Sequence, residues 1–226
     1  MATFVLIHGA ADVGWYWHLV EAELRARGHD VVAPDLPCDD DSAGLTEYAD
    51  TVVEAVGDRE GLVVVGQSFG GFTAPLVAAR LPTEVLVLLA GMVPSPGEAP
   101  GDWWDNTGYA DAVREQAARD GGKTGSDDPF VSFLHDVPRP LAEEALRRGR
   151  DQSATPMGSP WPLDKWPDVP TRFVLCRDDR FFPADLFRRI VPERLGITPD
   201  EIPGSHCVAL SRPKQVADLL VSYTTG

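Results

Sequence analysis

Cysteine is scarce in this 226-residue chain, and basic charge is heavily outweighed by acidic charge. The three cysteines, Cys38, Cys176 and Cys207, are an odd number without C-x-x-C spacing. They make neither a disulfide framework nor a zinc site, so a protein with no metal and no cofactor is expected. Twenty Lys and Arg stand against 35 Asp and Glu, a net charge of −15. Binding to phosphate backbones needs concentrated cations, so nucleic acid is not an expected partner and the surface should be self-repelling. Long apolar runs are missing too. The longest, VLVLLAGMV from Val85 to Val93, is far short of the roughly 20 residues that a membrane helix needs. The opening MATFVLIHG has no charged leader region and no cleavage site, so no signal peptide is expected and the expected location is the cytoplasm. Oligomeric state is left open.

Hydrophobic residues make up 43% of the chain, enough for one well-buried domain over residues 1–226. No internal repeat and no low-complexity tract is present. The first half alternates short β-branched runs with helical patterns. Strands are expected over Thr3–His8, over Asp30–Pro37 with two prolines breaking it, over GLVVVG from Gly61, and over TEVLVLLAG from Thr83. Between them lie helical patterns: one after Gly14 with Leu19, Ala22 and Leu24 on a face, one from Thr46 to Gly57, and one from Phe69. That alternation predicts an α/β fold built on a doubly wound, mostly parallel sheet.

From about residue 94 to 170 the composition changes. Prolines and glycines are frequent, four tryptophans (Trp103, Trp104, Trp161, Trp166) fall here, and no convincing strand is found. Helical patterns remain in ADAVREQAARDGG and RPLAEEALRRGR. An insertion of this length and aromatic content, set between two strands, predicts a small helical cap above the sheet. Alternation then resumes through VPTRFVLCRDD, PADLFRRIVPERLG, ITPDEIPGSH and SRPKQVADLLVSY.

The stretch GLVVVGQSFGG places Ser68 between a buried strand and a helix. Flanking glycines let strand and helix approach while the turn residue takes a strained conformation, and the helix start offers unpaired N–H groups beside it. A small residue capping a helix would explain an isolated match equally well, so other residues must decide. His206 lies in IPGSHCVALSRP, a loop after the last expected strand, where a base could reach Ser68. Asp178 and Asp179 end another strand, and either could orient the imidazole. The order Ser, Asp, His differs from those of chymotrypsin and subtilisin and matches the α/β-hydrolase order. Cys207 reads as a small packing residue, and Trp15 and Trp17 as core or pocket wall.

Over nearly its whole length the chain resembles the α/β hydrolases, in their small methylesterase and hydroxynitrile-lyase-like branch. The residues that carry the resemblance are FVLIHGAADVGWYWHLVEAELRARGHDVVAPDLP, GQSFGG, LCRDDRFFP and GSHCVALSRPKQVADLL. The branch has its catalytic acid in a D-x-x-x-P pattern, which implies Asp179, four residues before Pro183. It builds its oxyanion hole from backbone N–H groups, which implies Phe69 and Ala10. The lyases of the branch resemble H-T in the first loop and carry lysine after the catalytic histidine, whereas this chain has His8-Gly9 and His206-Cys207. The resemblance therefore implies a hydrolase, a Ser68-Asp179-His206 enzyme acting through an acyl-enzyme, and the aromatic cap suits small or medium carboxylic esters with an apolar or aromatic part. Two alternatives stand beside it. The same residues could run elimination, C–C cleavage or cyclisation with His206 as base, or the fold could bind a ligand without catalysis.

Overall fold

The computed structural model describes residues 1–224. Its strands are β1 (Thr3–Ile7), β2 (Asp30–Val32), β3 (Leu62–Gln67), β4 (Thr83–Leu89), β5 (Thr171–Cys176) and β6 (Asp200–Ile202). They form one sheet in the order β2-β1-β3-β4-β5-β6, and every neighbouring pair is parallel. A parallel sheet is covered on both faces, so its central strands bury every side chain. The runs TFVLI and LVVVGQ are buried throughout.

The helices of the sheet are α1 (His18–Ala26), α2 (Leu45–Val56) and α3 (Gly70–Ala78), and, after an intervening segment, α8 (Ala184–Leu195), α9 (Val208–Ser211) and α10 (Pro213–Ser222). The step from β1 to β2 runs one way along the sheet, and every later step runs the other way. Right-handed crossovers then put α1 on one face and α2, α3 and α8 on the other. The contacts agree: α1 packs on α10, and α2 packs on α3. The reversal leaves a crevice at the carboxyl ends of β1 and β3. Trp17, Tyr48, Phe4, Phe72, Phe173 and Phe187 are fully buried on the two sides of the sheet, each contributing about 1.5–3 kcal/mol of burial.

Between β4 and β5 the chain forms α4 (Pro100–Asn106), α5 (Tyr109–Asp120), α6 (Pro129–Ser132) and α7 (Arg139–Arg148), with no strand among the described residues. Indole N–H groups fasten this segment down: Trp103 Nε1 donates to Val93 O and Trp161 Nε1 to Phe72 O, both at 3.0 Å. The nearly buried Glu98 pairs with Arg194 of α8 at 2.6 Å. No described helix is long and apolar enough to cross a membrane.

Two local expectations are corrected. The strand expected over Asp30–Pro37 ends at Val32, because Pro34 and Pro37 have no N–H to give to a ladder. The N–H of Leu36 instead donates to His8 Nε2 at 2.9 Å. On α1 the buried pair is Val20 and Leu24, four apart, while Ala22 faces solvent.

Candidate active site

Ser68 lies in the turn between β3 and α3 with φ +51°, in the left-handed region. For a non-glycine residue this conformation costs about 1–3 kcal/mol and persists only where its surroundings impose it. The surroundings are glycines. A Cβ on Gly66 would meet Gly70 O at 2.5 Å, and one on Gly71 would meet Met92 O at 2.1 Å. The turn therefore closes tightly on its own helix and on the loop after β4, and a Cβ on Gly70 would likewise meet His8 O after β1 at 2.7 Å. Ser68 O accepts from Gly71 N at 3.0 Å and Met92 N at 2.9 Å. Among the described residues, Ser68 Oγ makes no hydrogen bond, and the N–H groups of Ala10 and Phe69 meet no acceptor.

His206 follows β6 in a loop tied to the turn after β5. Asp178 Oδ2 accepts the Gly204 N–H at 2.8 Å, Asp178 N donates to Gly204 O at 3.1 Å, and Asp136 Oδ2 accepts the Ser205 N–H at 3.1 Å. Held this way, His206 Nδ1 lies 2.8 Å from Asp179 Oδ2, with both side chains almost wholly buried. The other carboxylate oxygen, Asp179 Oδ1, accepts the N–H groups of Phe181 at 2.8 Å and Phe182 at 2.9 Å. Neighbouring aspartates thus differ completely. Asp179 faces inward onto the imidazole, whereas Asp178 stays at the surface and braces the loop. The rings of Phe181, Phe182 and Phe133 stand edge-on to the imidazole at 5.1, 5.2 and 5.5 Å, leaving it little room to tilt.

Ser68, His206, Gly9 and Ala10 line one cavity of about 200 Å³. A larger groove of about 740 Å³ adjoins it, sharing Ala10, Asp12, Tyr16, Phe133 and Cys207. Its outer wall is built by α6 and α7. Trp103 and Trp104 line neither space; they pack against Phe182.

Two residues that sequence reasoning passed over lie in the small cavity. Gln67 Nε2 is 3.1 Å from His206 Nε2, so Gln67 rather than Ser68 holds that ring nitrogen. Asp12 faces the cavity with its carboxyl pushed up to about 6, chiefly by burial and partly offset by the hydrogen bond it accepts from the Val13 N–H. Their positions, directly before the serine and two residues after Ala10, were the available signal. His8, at the end of β1, is buried, and desolvation holds it down at about 4. It is a neutral strut between Gly9 O and Leu36 N.

A model described as the alpha/beta hydrolase family matches residues 4–219. Methylesterase 3 of Arabidopsis thaliana is 31% identical over 267 aligned residues, spanning 96% of this chain and 94% of the relative. A pyrethroid hydrolase of Sphingobium wenxiniae is 27% identical, spanning 97% and 86%. An extracellular α/β-hydrolase from a Paenibacillus species superposes with a TM-score of 0.80 over 100% of both chains at 21% identity.

Proposed function

Because the chain belongs to the α/β-hydrolase family, in its methylesterase-like branch, we propose that it is a carboxylic ester hydrolase of the serine type. The observation that carries the proposal is the Asp179–His206 pair opening on the same cavity as the strained Ser68. Relatives named methylesterase and pyrethroid hydrolase support ester chemistry. Residues 94–170 serve as the cap of a single domain.

A carboxylate has no proton to give, so Nδ1 of His206 carries the hydrogen and Nε2 offers its lone pair. Ser68 Oγ attacks the ester carbonyl while its proton passes to Nε2. The carbonyl π electrons move to oxygen, which the unpaired N–H groups of Ala10 and Phe69 receive; each such donor is worth about 10²–10³ in rate. The imidazolium then protonates the departing alkoxide, and Asp179 stabilises the cation throughout. Water, activated by the same imidazole, releases the acid from Ser68. The 200 Å³ chamber admits a small group beside the carbonyl, and the adjoining groove takes the larger half, with Phe133 between them.

The test is hydrolysis of a panel of methyl and p-nitrophenyl esters, followed by release of both acid and alcohol. The wild type should turn over, and Ser68→Ala should lose several orders of magnitude while melting within a few degrees of it. A folded Ser68→Ala with undiminished turnover would refute the assignment.

A further inference from the structure

Gln67 is the last residue of β3, directly before Ser68, and only 3% exposed. Its amide nitrogen lies 3.1 Å from His206 Nε2 and 3.5 Å from the His206 carbonyl oxygen. Its amide oxygen stands against the loop after β1: a Cβ on Gly9 would meet Gln67 Oε1 at 2.6 Å and Ser68 Cβ at 3.0 Å. One side chain therefore touches the loop of Ala10 and the loop of His206, beside the serine itself.

With Nδ1 committed to Asp179, the His206 Nε2 lone pair accepts the Gln67 N–H. This is the lone pair that must take the Ser68 proton, and Ser68 Oγ has no hydrogen bond among the described residues. We propose that Gln67 is a positioning residue that latches His206 in the resting enzyme, and that each turnover exchanges its amide for the Ser68 hydroxyl at Nε2. The inference rests on His206 being the base of the proposed hydrolase.

The chemistry favours an amide in this place. When the Oγ–carbonyl bond forms and the Ser68 proton moves to Nε2, that nitrogen becomes a donor. An N–H facing the Gln67 NH₂ would set donor against donor, so the amide must withdraw or turn its oxygen inward. Glutamine carries a donor and an acceptor at one end and can meet both states of the ring. Methionine fills a similar volume with neither, and glutamate has acceptors alone.

Other groups face His206 as well: Asp179 from the turn after β5, Asp12 from the loop after β1, and Cys207 beside it. Asp178 and Asp136 brace the backbone of its loop. All of them persist in Gln67 variants, so a difference between variants reports the amide alone.

The experiment is the pH dependence of kcat/KM for p-nitrophenyl acetate, measured on the whole chain for wild type, Gln67→Met and Gln67→Glu. A hydrogen bond given to the neutral ring favours that form. Its loss in Gln67→Met should move the acid limb up by about half to one pH unit. Gln67→Glu, whose carboxylate favours the imidazolium, should move it up by about one unit or more. At pH above both limbs, Gln67→Met should label with a fluorophosphonate at least as fast as wild type, because the lone pair is released. Lower kcat with the limb unmoved in both variants would overturn the latch and leave a merely structural glutamine. If Gln67→Met fails to fold, Gln67→Glu decides alone, since an unmoved limb there is equally fatal. Failure of Ser68 to label in folded wild type sinks the hydrolase reading instead. In that case the ¹⁵N shift of His206 Nε2, read without substrate, still decides the latch. It should change between wild type and Gln67→Glu, and an unchanged shift would overturn the proposal.

Discussion

Replacing Asp179 by asparagine changes one group and should reverse the imidazole's polarity. Asp179 Oδ1 accepts two backbone N–H groups, from Phe181 and Phe182, while Oδ2 accepts only His206 Nδ1. Asparagine has one oxygen, and two fixed N–H donors will claim it. The new NH₂ must then face Nδ1, which becomes the acceptor and sends the ring hydrogen to Nε2. That tautomer cannot take a proton from Ser68. Triad hydrolases lose about 10⁴ in kcat by this route, equivalent to roughly 5.5 kcal/mol of transition-state stabilisation. The new Nε2–H would face the Gln67 NH₂ at 3.1 Å, and a turn of that amide brings its oxygen round to accept it, so the fold should survive with a melting temperature within a few degrees of wild type. Asp178→Asn is the control, since its oxygen can still accept the single Gly204 N–H, and it should cost less than about tenfold. Steady-state hydrolysis of one p-nitrophenyl ester by the three proteins is the assay. Asp179→Asn retaining more than a tenth of wild-type kcat/KM, or Asp178→Asn losing more than Asp179→Asn, would refute the reasoning.

Gly9→Ala would push a methyl against Gln67 Oε1 and Ser68 Cβ, misplacing the Ala10 N–H and lowering kcat about 10²-fold; steady-state kinetics showing a rise in KM alone would contradict this. Burial raises Asp12 from 3.8 to about 6, so its contribution to stability is whole below pH 3.8 and is lost as pH rises through 6. Asp12→Asn should therefore match wild type near pH 4 and exceed it by up to about 3 kcal/mol above pH 6 in urea denaturation; no gain at pH 7.5 would refute it. His8, lowered from 6.5 to about 4, acts in the opposite sense, losing stability as pH falls from 6.5 to 4, so the variant pair is needed to isolate Asp12. Arg194→Met strands Glu98, which is 4% exposed in its side chain, and should cost about 3–5 kcal/mol in the same denaturation; a loss under about 1 kcal/mol would show that the pair does not fasten the cap segment.

The parts legible in the sequence are those that short-range patterns encode. β1 and β3 read directly, because continuous Val, Leu and Ile between glycines suit strands buried on both faces. The glycines around Ser68 read as a close approach of strand and helix, and Gly66 and Gly71 stand against neighbouring backbone in that way. Side-chain partners across long separations did not read. The residues alone left Asp178 and Asp179 equivalent, and only resemblance separated them. In space, a turn of the backbone sends one to the imidazole and the other to Gly204. Gln67 meets a histidine 139 positions away, and nothing in strand alternation announces that. Helix α4 was too short for its period to show, and Trp103 within it fills the core rather than a pocket. Asp30–Pro37 read too long because the apolar pattern outlasts the hydrogen bonds that its prolines allow.

Treatment of the folded protein with a fluorophosphonate, followed by intact mass and peptide mapping, tests the nucleophile most directly. One adduct per chain, on Ser68 and accompanied by complete loss of esterase activity, is the predicted result. A folded protein that takes no adduct, or takes it on another residue while Ser68 stays unmodified, would contradict the proposed mechanism.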